Sequence, residues 1–359
     1  MISQLREADG ALELFAYDGA GNLAAYTDAL GNQERYEWDP LGNLAAVVDA
    51  QGARTAYQWD AAGNLLGETN PLGNQTTYGY DLLGQLVQAV SAEGAQESWE
   101  WGAQGLPVAH TDPLGNRETW EWDALGRLAG ATDLSGARTS YGYDAAGNVT
   151  AETDAAGNSV TYSYDYRDHL TSRTDRTGAT WEYLADAAGR TVQVTSPRGL
   201  VTQLAWDDAD NLVSAMDNLG RGGSWAYDAV GNLMSATDAL GNSEQWEWDA
   251  AGNLAAYVSA LGARETYRWD AAGNLLEAVG AAGERTTYTW SATGELLAQA
   301  GPEGARIWEY DATGNPVAST DALGNRTAWE WDKDGRPVAE TSPAGAVTAF
   351  TWEIGRAHV

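Results

Sequence analysis

Hydrophobic and polar positions alternate along this chain in short runs separated by turn-forming clusters. Residues 33–38, Gln-Glu-Arg-Tyr-Glu-Trp, show the pattern: two aromatics two places apart, with polar residues between and before them. Alternation with period two over such a length predicts a half-buried β-strand. The runs recur. From Tyr17, steps of 21 residues lead to Trp38, Trp59, Tyr80, Trp101, Trp122, Tyr143 and Tyr164. The series skips at Ala185 and resumes at Trp206, Tyr227, Trp248, Trp269 and Trp290. One step of 20 leads to Tyr310, and the period returns at Trp331 and Trp352. Sixteen units follow one another without a linker, the signature of a repeat architecture.

Each unit carries two turns. Asp follows the first aromatic in 14 of the 16 units, the exceptions being Gly102 and Ser291. Three residues later comes Gly, as at Gly21 and Gly42, with Asp168 and Asp210 in its place in two units. A second turn follows ten residues on, as Asp28-Ala29-Leu30-Gly31-Asn32. Asp starts such turns by accepting backbone N–H bonds, and Gly supplies the left-handed residue that ends them. Five or six residues of strand lie between turns, so the sheet is antiparallel with two strands per unit.

The odd period constrains register, because a shift of one residue turns every side chain to the opposite face. A three-residue first loop pairs Tyr17 with Leu23. To keep the aromatics on one face, the second loop is expected to have four residues, pairing Leu23 with Tyr36 and Ala25 with Glu34. The two turns should therefore differ in loop length or bulge. On this register one face carries both aromatics, a Leu or Val in 12 of 16 units, and a small residue two places later. The expected fold is all-β: tandem antiparallel β-hairpin repeats of about 21 residues, coiling into a spiral or a wide, hollow, barrel-like shell. Some 32 strands at ~4.8 Å spacing make a strip of about 150 Å, and one ring of it is roughly 50 Å across.

Composition adds three constraints. The net charge is −31, spread along the chain, with Lys333 the single lysine. Such a field repels phosphate backbones, so no nucleic-acid partner is expected. There are no cysteines, which excludes disulfides, zinc-cysteine sites and cysteine nucleophiles. No run reaches the ~18 apolar residues of a membrane span, and Met1–Glu7 shows no signal peptide, so no membrane insertion is expected.

Here the residues meet a family. Tyr143-Asp144-Ala145-Ala146-Gly147-Asn148 and Trp122-Asp123-Ala124-Leu125-Gly126-Arg127 resemble the YD or RHS repeats. That family includes bacterial RHS polymorphic toxins, wall-associated toxins, insecticidal toxin-complex shells and animal teneurins. The resemblance covers residues 11 to 352. It implies a spiral β-sheet cocoon that, in the bacterial toxins, encloses a C-terminal toxic domain. The expected role is a structural, non-enzymatic shell segment of a large secreted or cell-surface bacterial protein. Its implied partner is an encapsulated effector domain of the same full-length protein. The family's self-cleavage residues find no counterpart here. Residues 1–352 are read as one array and 353–359 as a non-repeat tail. The tail's residues, from Glu353 to Val359, match a translated sequencing-adapter read, GAG ATC GGA AGA GCA CAC GTC.

No catalytic, cofactor-binding or metal-binding residue stands out, and no cofactor is expected. The Asp ladders suggest calcium, but each turn offers few carboxylates and turn capping accounts for them. With 51 acidic residues, carboxylate pairs at glycosidase spacing arise by chance. His110, His169 and His358 are isolated in sequence, and Asp168-His169 marks drift in the turn consensus. The rival function is a carbohydrate-binding or adhesion module, since exposed Trp and Tyr stack on sugars. Saturable quenching of tryptophan fluorescence by cell-wall glycans would favour it. An isolated strip has two open strand edges and is expected to associate edge to edge.

Overall fold

The computed structural model describes residues 2–6, 12–353 and 356–358. All regular structure among them is β. Strands β1 (Ile2–Arg6), β2 (Leu12–Tyr17), β3 (Leu23–Thr27), β4 (Gln33–Trp38), β5 (Leu44–Val48) and β6 (Arg54–Trp59) open a meander that continues in the same rhythm to Val347–Ala349. Each strand pairs antiparallel with its chain neighbours, and together they form one 34-stranded sheet. Thr351–Glu353 and Arg356–His358 form a separate two-stranded sheet. The expectation that 353–359 is a non-repeat tail falls partly outside the described residues.

The two turns of a unit share one geometry. Asp18 Oδ1 accepts the backbone N–H groups of Ala20 and Asn22 at 2.8 and 2.9 Å, and Oδ2 accepts the Asn22 amide at 3.1 Å. Asp28 does the same for Leu30 and Asn32, at 2.9, 2.7 and 2.9 Å. In both turns the Asp N–H donates to the carbonyl four residues on. Both loops hold five residues, between Tyr17 and Leu23 and between Thr27 and Gln33. The expected three- and four-residue loops are thus corrected: identical Asp-x-x-Gly-Asn chemistry closes identical turns. Where Asp168 and Asp210 replace Gly, each keeps φ at 65°, a conformation Asp tolerates.

The odd residue is taken up by a β-bulge, the other device the period allowed. Tyr17 pairs with Leu23, as expected, but Ala16 pairs with Ala25, so Ala24 has no partner. The same break recurs in later units, for example between Trp38↔Leu44 and Glu37↔Ala46. The β3–β4 ladder then runs in the register Ala25↔Arg35 and Tyr26↔Glu34, one residue away from the expected Ala25↔Glu34. Both aromatics stay on one face, but the small residue moves to the other. The single 20-residue step is absorbed in its second turn, which shrinks to a hairpin closed by Gly301↔Gly304, leaving the faces in phase.

The strip coils back on itself. The side chain of Gln51 bonds Thr293 and Glu295, and Ser91 and Glu93 bond Asp334. These partners lie 241 to 244 residues apart, about eleven and a half units or 23 strands. At ~4.8 Å per strand one revolution is on the order of 110 Å around and 35 Å across. The array therefore makes more than one revolution of a narrower coil, not the single 50 Å ring expected from strand count.

Candidate functional site

The candidate site is the wall itself: its aromatic face, its polar face and the seam where one revolution meets the next. On the aromatic face the first aromatic of each unit does one job repeatedly. Trp38 Nε1 donates to the Leu23 carbonyl at 2.7 Å, and Trp59 Nε1 to the Leu44 carbonyl at 2.7 Å. Among the described residues fourteen such bonds recur, always to the residue that follows the previous unit's first turn. The bulge explains the acceptor. Pairing of β3 with β4 stops at Ala25↔Arg35, so Leu23 lies beyond that ladder and its carbonyl takes a side-chain donor. Tyr serves as well as Trp, as Tyr143 shows with Leu128 at 2.8 Å. Phe cannot donate. The chain's two phenylalanines, Phe15 and Phe350, both stand at the second aromatic position and never at the first. Pro107, Pro316 and Pro337 occupy the acceptor position in three units, where no ladder N–H is needed.

The polar face carries a second ladder. Arg54 pairs with Glu37 at 2.7 Å, Arg117 with Glu100 at 2.6 Å, Arg138 with Glu121 at 2.7 Å and Arg264 with Glu247 at 2.6 Å. Beneath these pairs the small residues Ala46, Ala109 and Ala256 are buried. At Gly130 an added Cβ would stand 2.6 Å from the Arg138 guanidinium, so glycine lets that pair close down. These ion pairs are about half exposed and contribute little each. Their effect is to roof a single-layer sheet that has no large fully buried side chain among the described residues.

The histidines fare differently. His110 Nδ1 lies 2.9 Å from Glu118 and Nε2 3.1 Å from Glu97, and its ring stacks on Trp99 with centroids 5.0 Å apart. Sequence spacing missed this cluster because the register Trp99↔His110↔Glu118 exists only downstream of a bulge. His169 sits 3.3 Å from Asp165 in its own turn and lies close against Gly189. The side chain of His358 is outside the described residues. Among the described residues no group of three or more His, Asp or Glu is placed to hold a metal ion. The turn carboxylates are instead spent on their own loops. The Asn22 backbone N–H holds Asp18 below the usual carboxylate range, and the amides of Asn43 and Asn148 do so for Asp39 and Asp144.

This sets a pH dependence. A carboxylate depressed by folding stabilises the fold above its unfolded pKa, and that contribution is lost as pH falls through the folded value. The caps should therefore count fully at neutral pH and fail below about pH 4. Thermal melts followed by tryptophan fluorescence in 0.5 M salt, where self-repulsion is screened, should be flat from pH 7 to 5 and drop by pH 3. A melting temperature unchanged at pH 3 would show that the caps do not hold the turns.

Comparison with known proteins agrees with this geometry. The RHS repeat family model matches ten segments, from residues 17–55 to 310–347. No curated protein sequence matches the chain. Among solved structures, TcdB2-TccC3-TEV is similar with a TM-score of 0.71 at 15% identity, covering 96% of this chain and 23% of that one. A mutant Photorhabdus luminescens Tc holotoxin pore is similar with a TM-score of 0.72 at 14% identity, covering 92% and 22%. TcdB2-TccC3 without its hypervariable C-terminal region gives 0.62 at 15%, covering 99% and 24%. This chain thus spans about a quarter of each of those chains, and at these identities the likeness is one of fold, the spiral RHS shell. With ten family matches over strands, turns and bulges that repeat in one register, the protein belongs to the RHS repeat family.

Proposed function

We propose that this chain is a stretch of shell wall in a large extracellular RHS-repeat protein, and that it encloses or presents an effector domain borne on the same polypeptide. The observation that carries the reading is the coil: a single-layer sheet meets itself edge to edge after about eleven and a half units, bounding a space instead of filling a core. The similar TcdB2-TccC3 structure without a hypervariable C-terminal region supports a cargo placed after the repeats, and the similarity to a holotoxin pore supports an extracellular setting. The role is structural and non-catalytic, since the acidic residues serve turns and ladders. Glycan binding fits less well, because the first aromatics are tied by their polar tips to backbone carbonyls.

Limited proteolysis of the complete gene product tests the reading. The C-terminal domain should resist protease while the repeats are folded and become sensitive once mild denaturant opens them. Cleavage at the rate of the isolated domain would overturn it.

A further inference from the structure

Both edges of the strip are rows of turns capped mostly by Asp, so laying one edge on the other brings like charges together. At the seam three second turns meet three first turns: 49–53 meets 291–295, 70–74 meets 311–315, and 91–95 meets 332–336. In each facing pair only one capping position keeps its Asp. Asp49 faces the turn of Ser291, Asn70 the turn of Asp311, and Ser91 the turn of Asp332.

The tips of these first turns depart from the repeat as well. Their third residues are Thr293, Thr313 and Asp334, whereas eleven of the other thirteen first turns carry Ala, Leu or Val there. Glu295 is the one acid at the fifth position of a first turn, and Lys333 is the one lysine in the chain. At the two outer pairs the departures find partners across the seam, while the Thr313 hydroxyl donates to Asp311 in its own turn. The Gln51 amide donates to Thr293 Oγ1 and to Glu295 Oε2, the latter at 3.2 Å. The Ser91 hydroxyl donates to Asp334 Oδ2 at 2.7 Å and the Glu93 N–H to Asp334 Oδ1 at 2.9 Å. The Lys333 N–H donates to Glu93 Oε1 at 3.2 Å, with its ammonium 3.8 Å from the same oxygen. Thr313 and Asn315 face Asn70 and Leu72 across a cleft of about 510 Å³.

We propose that these departures are a register code: they select which first turn settles on which second turn, and so fix the number of units in one revolution of the shell. The partner of this surface is the opposite edge of the same strip, whatever the shell encloses. Sheet twist curls any such strip, but a repeat with uniform turns has no preferred stopping point. Polar bonds across two of the three facing pairs, and one uncharged cap in each pair, supply one. A slip by one unit would set Ser91 and Glu93 against Thr313 and Asn315, and would remove the Lys333–Glu93 and Ser91–Asp334 pairs.

The absence of cysteine makes the test clean. Gln51→Cys with Thr293→Cys, joined by a short bis-maleimide, reports the in-register seam. Gln51→Cys with Ala272→Cys reports the coil slipped by one unit. Ser91→Asp with Lys333→Glu is then added, two units away from the reporter. We expect in-register cross-linking to fall at least threefold at low salt and to recover in 0.5 M salt, with any slipped product rising as it falls. Ser196→Asp, a capping change in a second turn outside the seam, should leave the reporter unchanged. In-register cross-linking unaffected by the double substitution would overturn the proposal, as would a loss that salt does not reverse.

Discussion

Gly222→Ala is expected to destabilise its part of the array by about 3 kcal/mol or more, the largest effect of a glycine-to-alanine change among the described residues. Gly222 has φ of 146°, and a Cβ there would stand 1.9 Å from the Ala215 carbonyl oxygen and 2.9 Å from the Met216 Cα. These are backbone atoms of the strand to which Gly222 is paired, so no side chain can move aside. Relief requires breaking the Met216↔Gly222 and Ala215↔Gly223 pairs. The turn glycines make a good contrast. Gly63 has φ of 87° and nothing within 4 Å of an added Cβ, so Gly63→Ala should cost only the left-handed penalty, about 1–2 kcal/mol. A repeat array can open locally, so amide exchange across residues 212–227 for the first variant and 54–69 for the second is a better measure than a global melt. Equal losses of protection for the two variants would contradict the steric argument.

Trp59→Phe is expected to cost about 1–3 kcal/mol, and Trp59→Tyr distinctly less. The ring area changes in both, but only Phe lacks a donor for the Leu44 carbonyl, which Trp59 Nε1 now meets at 2.7 Å. The carbonyl lies next to a bulge, outside the β5–β6 register pairs that begin at Ala46↔Ala56. It would be left without its protein partner in a half-covered position. Tyr fills the same role at positions 143, 164, 227 and 310. Denaturant melts of the two variants would decide. Equal destabilisation by Phe and Tyr would mean that ring packing, and not the hydrogen bond, selects Trp and Tyr at the first aromatic.

Much of this molecule is legible in its residues because each unit makes its structure from neighbours in sequence. Asp18 and Gly21 form a turn by bonds that span four residues, so reading the turn needs no knowledge of the fold. Alternation in Gln33–Trp38 names its exposed and covered sides, and the burial pattern follows it. The count of strands, their antiparallel order and the aromatic face all come from such local terms.

Register was less accessible. Period and face together demanded one irregularity per unit, but loop length and bulge satisfied that demand equally well. The choice fell to the bulge at Ala24 because both loops close through the same Asp-x-x-Gly-Asn bonds, and because an aromatic 15 residues on caps the carbonyl that the bulge leaves outside the ladder. The same choice in the next unit placed Ala46 under the Glu37–Arg54 pair, and further on it brought His110 between Glu97 and Glu118. No spacing rule in the sequence pairs residues 8 and 13 apart across strands before the register is known.

The sequence alone therefore determined the repeat, its turns, its strands and its membership in a shell-forming family, since these rest on contacts within about one unit. Only the tertiary structure decided how tightly the strip coils and which turns meet at the seam. Those depend on partners some 242 residues apart, and a small twist per strand, summed over about 23 strands, sets where they land.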